Sequence, residues 1–220
     1  MIDAVVFDLD GLLLDSEQLW DEVREELARE RGGRWHEHAQ PDMMGMSSPE
    51  WSRYMHDVIG LPEPPEEISA EVVRRMEQRY HERLPLLPGA REAVVRIAAH
   101  WPLGLASSSN RELIDLVLEQ GDLARFFRAT VSSEEVEHGK PAPDVYLEAA
   151  RRLGIDPTRA IAVEDSHNGI RSAKAAGMRV IAIPNPHFPP DEAALAQADV
   201  VLDSPELVPE VISSLDRGPR

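Results

Sequence analysis

At 220 residues and 42% hydrophobic content, the chain can bury the core of one domain carrying a substantial insertion, or of two small domains. Its formal net charge of −17 disfavours nucleic acid and anionic membranes as partners, because both are bound by clustered Lys and Arg. With no cysteine, disulfides, thiolate nucleophiles and zinc-thiolate centres are excluded, and any metal must sit on oxygen or imidazole. No stretch approaches the roughly 18 consecutive apolar residues of a membrane span, and Met1 leads straight into an apolar strand, so a cytoplasmic protein is expected.

The first element, Ala4 to Phe7, is a short apolar run that reads as a buried strand and stops abruptly at Asp8-Leu9-Asp10-Gly11. Residues i and i+2 of an extended chain point the same way, so Asp8 and Asp10 can face one site beyond the strand's carboxyl end while Gly11 lets the backbone turn. Two carboxylates so close need a cation, a shared proton or open water. Asp15 or Ser16 can cap a helix bearing Leu19, Trp20, Val23 and Leu27 at helical spacing, which Gly32-Gly33 ends. Trp35 to Gln40 reads as irregular. Ser47 or Ser48 caps a second helix with Pro49 in its first turn and Trp51, Tyr54, Met55, Val58 and Ile59 on one stripe, and Pro62, Pro64 and Pro65 stop it. A third helix from Ser69 carries Val72, Val73, Met76 and Tyr80 and ends near Leu84-Pro85.

From Pro88-Gly89 onward, helices alternate with short apolar runs at Leu103 to Ala106, Ala129 to Val131, Ala160 to Val163, Val180 to Ile183 and Val200 to Leu202. This alternation predicts parallel βαβ units, hence an α/β, doubly wound parallel sheet. Residues 1-15 and 85-220 form the expected catalytic core. Residues 16-84 form an inserted helical cap over the sheet's carboxyl edge, hinged near Leu14 to Ser16 and Leu84 to Pro88. Three strands end in reactive groups, namely Asp8 with Asp10, Ser107, and Glu164 with Asp165, and a parallel sheet gathers such ends on one edge. His36 and His38 lack the spacing and additional ligands of a zinc site.

Phe7-Asp8-Leu9-Asp10-Gly11, Ala106-Ser107-Ser108-Ser109, Gly139-Lys140-Pro141-Ala142-Pro143-Asp144 and Val163-Glu164-Asp165-Ser166, with Asn168-Gly169 beyond, match four motifs in order and spacing. In these the chain resembles the haloacid dehalogenase-like phosphotransferases, and within them the beta-phosphoglucomutase and sugar-phosphatase subgroup, bacterial 2-deoxyglucose-6-phosphatases (hexitol phosphatases) above all. The resemblance implies that Asp8 is the nucleophile and Asp10 the acid and base. It implies that Ser107, Ser108 and Lys140 bind the phosphoryl oxygens. It further implies that Mg²⁺ is held by Asp8, the Asp10 main-chain carbonyl, Glu164 and Asp165. Trp20 stands where the subgroup's mutases carry a His, and Ser48 where they carry an Arg, which counts against mutase chemistry. Trp20 is either cap core or a substrate contact. The expected activity is therefore Mg²⁺-dependent hydrolysis of small phosphorylated sugars or polyols by a monomer. A sugar-phosphate mutase is the first alternative, and a phosphoacceptor signalling module the second.

Overall fold

A computed structural model of the protein describes residues 1–217. Its centre is a six-stranded sheet of β1 (Ala4–Phe7), β2 (Leu103–Ser107), β3 (Phe127–Ser132), β4 (Ala160–Glu164), β5 (Arg179–Ala182) and β6 (Val200–Val201). The strands lie in the order β3-β2-β1-β4-β5-β6, and every neighbouring pair is parallel. This is the doubly wound α/β arrangement expected from the sequence. All residues of β1, β2 and β4 are buried, so these strands read as unbroken apolar runs rather than alternating ones. Val5 and Phe7 join the apolar layer on one face and Val6 that on the other, as a period of two requires. The strand order reverses beside β1, which places a crevice at the carboxyl ends of β1 and β4.

Between β1 and the rest of the sheet lie α1 (Glu17–Glu30), α2 (Ala39–Met43), α3 (Ser48–Tyr54), a π-helical turn at Met55–Ile59 and α4 (Pro65–Glu82). Trp20, Val23, Leu27, Trp51, Met55, Val72, Met76 and Tyr80 are all buried between these helices. The two connecting segments run side by side: Asp15 N–H donates to the Pro85 carbonyl at 2.8 Å and Leu87 N–H to that of Leu13 at 2.9 Å. The flanking helices of the sheet are α5 (Ala90–Ala98), α6 (Arg111–Gln120), α7 (Asp144–Leu153), α8 (His167–Ala175), α9 (Glu192–Leu195) and α10 (Val208–Arg217). No helix among the described residues is long and apolar enough to cross a membrane.

Several local expectations change. The irregular stretch ends at His38, and Ala39 and Gln40 open the short helix α2. Helix α4 begins at Pro65 rather than Ser69, because proline suits the first helical turn and Glu66 and Glu67 follow it there. Val58 is 50% exposed although the helical stripe would bury it, since the π turn adds a residue and rotates the positions that follow. The C-terminal helix α10 continues to Arg217, with Asp216 Oδ1 accepting from Ile2 N–H at 2.5 Å; residues 218–220 lie outside the described part.

Candidate active site

Asp8 follows directly on β1, Glu164 ends β4 and Asp165 follows it, so the pairing of β1 with β4 sets the three carboxylates side by side. One oxygen from each lies within 4.8 Å of the others. Lys140, on the loop before α7, is 3% exposed rather than solvated. Its Nζ donates to Asp8 Oδ1 at 2.7 Å and to Glu164 Oε1 at 2.6 Å. One ammonium thus faces three buried acids. Burial opposes the Lys140 charge, yet Asp8 and Glu164 outweigh it and hold its pKa above the ordinary value. Burial pushes the Asp8 carboxyl up to about 8 despite Lys140, with Glu164 and Asp10 adding to the rise. Burial, then Glu164 and Asp8, hold Asp165 well above the usual carboxylate range.

The two neighbouring acids of β4 differ in a way their sequence does not reveal. Glu164 Oε1 also accepts from the Tyr146 hydroxyl at 2.7 Å, and Oε2 accepts from Asp165 N–H at 3.0 Å and from Ser166 N–H and Oγ, both at 3.3 Å. Neither oxygen of buried Asp165 has a hydrogen-bond partner among the described residues. A buried carboxylate with no donor is costly, and beside two further carboxylates it calls for a cation. The all-oxygen set Asp8, Glu164 and Asp165 suits a hard divalent ion such as Mg²⁺. Gly169 makes room for this arrangement. A Cβ there would lie 1.9 Å from Glu164 Cδ, and Glu164 cannot step aside without breaking its bonds to Lys140 and Tyr146. Gly169→Ala is therefore expected to cost about 1–3 kcal/mol, read from urea unfolding, as overpacked cores do.

The Asp10 carboxylate turns away from this cluster. Its Oδ1 accepts from Ser16 Oγ at 2.7 Å and Trp20 Nε1 at 3.0 Å, and its Oδ2 from Ser109 Oγ at 2.6 Å. Ser16 occupies the N-cap position of α1, yet its hydroxyl serves Asp10 instead of the helix. Trp20 belongs to the cap core, packing edge-on against Trp51 at 6.1 Å between ring centres, and its N–H donates to Asp10 rather than standing free. Ser107, at the end of β2, is fully buried, and its Oγ accepts from Ser109 N–H at 3.0 Å. Ser108 instead walls the cavity between Asp8, Asp10, Lys140 and Asp165. Sequence reasoning placed Ser16 as a helix cap only, assigned Ser109 no role beyond its motif, and passed over Tyr146. The buried Tyr146 ring was the one usable sign, because a buried phenol needs a partner.

The helical insert closes this cavity. Ser108 Oγ donates to the Gly45 carbonyl at 2.9 Å and Asn168 Nδ2 to that of Met44 at 2.8 Å. At φ +78°, with a Cβ at that position lying 2.8 Å from Asn168 Cβ, position 45 takes only glycine without strain. Two small cavities remain beneath, of about 30 Å³ and about 40 Å³, meeting at Asp10, Glu17, Gly45 and Ser108. A wider groove of about 530 Å³ lies between α3, α4 and α6, lined by Ser48, Val73 and Asn110 among others, and none of the clustered carboxylates reaches it.

Residues 5–183 match the family described as haloacid dehalogenase-like hydrolase. The chain belongs to that family. Hexitol phosphatase B of Escherichia coli (strain K12) is 39% identical over 209 residues, covering 91% of both chains. A phosphorylated carbohydrates phosphatase of Thermotoga maritima is 30% identical over 218 residues, or 97% of this chain and 100% of that one. The crystal structure of CbbY from Rhodobacter sphaeroides in complex with phosphate superposes with a TM-score of 0.82 at 29% identity, covering 94% of this chain and 96% of that one. With phosphatases as its relatives, this haloacid dehalogenase-like hydrolase is an enzyme of the phosphoric monoester hydrolase class.

Proposed function

We propose that this haloacid dehalogenase-like hydrolase is a Mg²⁺-dependent phosphatase of small phosphorylated sugars or polyols, working through an aspartyl-phosphate on Asp8. The observation that carries the reading is the buried Asp8–Glu164–Asp165 cluster, in which Asp165 has no hydrogen-bond donor among the described residues and Asp8 is steadied by Lys140. Asp8, Glu164 and Asp165 would hold Mg²⁺, with the Asp10 main-chain carbonyl beside them. The ion would supply positive charge where a carboxylate must approach an anionic ester.

Lys140 fixes Asp8 Oδ1, leaving Oδ2 free of side-chain donors among the described residues and available to attack phosphorus in line. As the Oδ2–P bond forms and the ester P–O bond breaks, Asp10 gives its proton to the departing alkoxide. Asp10, now ionised, takes a proton from water as the water oxygen attacks phosphorus, releasing inorganic phosphate and the free Asp8 carboxylate. Lys140 would offset charge on the phosphoryl oxygens and the Ser107 and Ser108 hydroxyls would donate to them, Ser108 once the cap contact with Gly45 opens. The Ser16 and Ser109 hydroxyls can rotate to accept when Asp10 is protonated, whereas Trp20 N–H can only donate, so Oδ2 is the oxygen suited to carry the proton. Cavities of about 30 and 40 Å³ are too small for a sugar phosphate, so the helical insert serves as a cap that opens to admit substrate.

Activity is expected to vanish in a chelator and return with Mg²⁺, with Ca²⁺ supporting little because of its larger, looser coordination. A thermal shift gives an independent check. The Asp8 carboxyl, raised from 3.8 to about 8, holds a proton that the unfolded chain has already released, so the cation-free protein loses stability as pH rises between those values. Mg²⁺ competes with that proton. At about 100 times its dissociation constant it adds about 2.7 kcal/mol, roughly 5–10 °C for a chain of this size, and the gain should be larger at pH 8 than at pH 6. An absent shift would remove the cation from these carboxylates, and a pH-independent one would remove its competition with the Asp8 proton.

The reaction is tested with a panel of hexitol, hexose and aryl phosphates, reading inorganic phosphate. Catalytic release from hexitol or hexose phosphates supports the phosphatase. Isomerisation of a hexose 1-phosphate in the presence of a bisphosphate primer would favour a mutase, and a single turnover would favour a signalling phosphoacceptor. The mutase is disfavoured by Ser48, which is buried with its hydroxyl unpartnered among the described residues, and by Trp20, which is locked in the cap core.

A further inference from the structure

We propose that Glu17 reads the hydroxyls of the substrate, its Oε1 accepting a hydrogen bond from a hydroxyl on the carbon chain of the ester held at Asp8. The proposal rests on the phosphatase reading above. Glu17 is the first residue of α1 and walls both small cavities that meet at Asp10. If Asp10 protonates the leaving oxygen, the carbons bearing that oxygen start beside Asp10 and continue into the cavity of about 40 Å³ that Glu17 helps to line. That space admits one or two hydroxyl groups even with the cap closed.

The surrounding polar groups hold Glu17 in a fixed orientation. Arg24 lies over the edge-packed Trp20 and Trp51 rings, 4.5 and 4.7 Å from their centres, and its Nη1 donates to Gln40 Oε1 at 2.9 Å. Arginine can only donate, so the Gln40 oxygen must face it and the Gln40 amide nitrogen must face the other way. That nitrogen donates to Glu17 Oε2 at 2.9 Å. Two tryptophans and an arginine thereby set the rotamer of a buried glutamine, and the glutamine occupies one oxygen of Glu17. Among the described residues, no group donates to the other oxygen, Oε1. Burial, then Asp10, push the Glu17 carboxyl up to about 7; in assays above that pH its oxygens only accept, and a polyol is a chain of donors. An aryl phosphate presents none.

The test compares kcat/KM for a hexitol phosphate with that for an aryl phosphate in the wild type, Glu17→Ala and Glu17→Gln. A hydrogen bond to a charged group is worth about 10- to 100-fold, so Glu17→Ala is expected to lower the hexitol-to-aryl ratio by about that factor. Glu17→Gln, which keeps the shape and loses the charge, should lower it less. In a set of hexitol phosphates each lacking one hydroxyl, one member should lose that factor with the wild type and not with Glu17→Ala. A ratio within threefold of wild type in Glu17→Ala, or in Glu17→Leu should the alanine variant fail to fold, overturns the proposal. So does a deoxy series that falls equally in wild type and variant. A wild type that turns over no phosphate ester would instead defeat the phosphatase reading, and this inference with it.

Discussion

Asp8→Asn is expected to lower phosphate release by at least about 10⁴-fold while the protein melts at or above the wild-type temperature. The activity loss follows from removing a covalent nucleophile, whose loss costs an enzyme roughly 10⁴–10⁶ in turnover. The retained stability follows from the site. An asparagine keeps the shape of Asp8, and its carbonyl can still accept from Lys140, which donates to Oδ1 at 2.7 Å. Burial already resists the Asp8 charge, pushing its pKa up to about 8, so an uncharged side chain at this position suits the cation-free site. Calorimetry and a phosphate assay on the same preparation read both halves. A variant with a tenth of wild-type activity would contradict the nucleophile. A melting temperature lowered by more than a few degrees would contradict the electrostatic account.

Asp10→Asn should separate substrates by their leaving groups. The hydrogen-bond surroundings of Asp10 tolerate the change: the amide oxygen of an asparagine can accept from Ser16 and Trp20, and its amide nitrogen can donate to the rotatable Ser109 hydroxyl. What is lost is the proton for a sugar alkoxide and the base for water. General acid-base catalysis is worth about 10²–10⁴-fold, so hexitol phosphate turnover should fall by at least that factor. An aryl phosphate leaves without a proton, so Asp8 is still phosphorylated and phenolate appears as a burst close to one equivalent of enzyme. Equal slowing of both esters, with no burst, would take the acid-base role from Asp10.

The catalytic core was legible because parallel sheets make simple demands on sequence. Strands buried on both faces are unbroken apolar runs, and the acids that interrupt them at Asp8, Glu164 and Asp165 mark the carboxyl edge. The division of labour between Glu164 and Asp165 was not legible. Adjacent residues leave a strand on opposite sides, and which side meets Lys140 and Tyr146 depends on partners 24 and 18 residues away. The cap was legible as helices but not as contacts. Trp20 sits at ordinary helical core spacing, and nothing local shows that its N–H reaches Asp10. The Arg24–Gln40–Glu17 relay crosses from α1 to α2, a helix of five residues that carries no periodic signal of its own.

The most direct measurement is the mass of the peptide containing Asp8 from Asp10→Asn quenched during reaction with an aryl phosphate. The account predicts one added phosphoryl group on that peptide, at a level approaching the enzyme concentration and absent from the Asp8→Asn, Asp10→Asn double variant. A burst of phenolate with no phosphoryl group on that peptide, or with the group on another residue, would contradict the aspartyl-phosphate on Asp8.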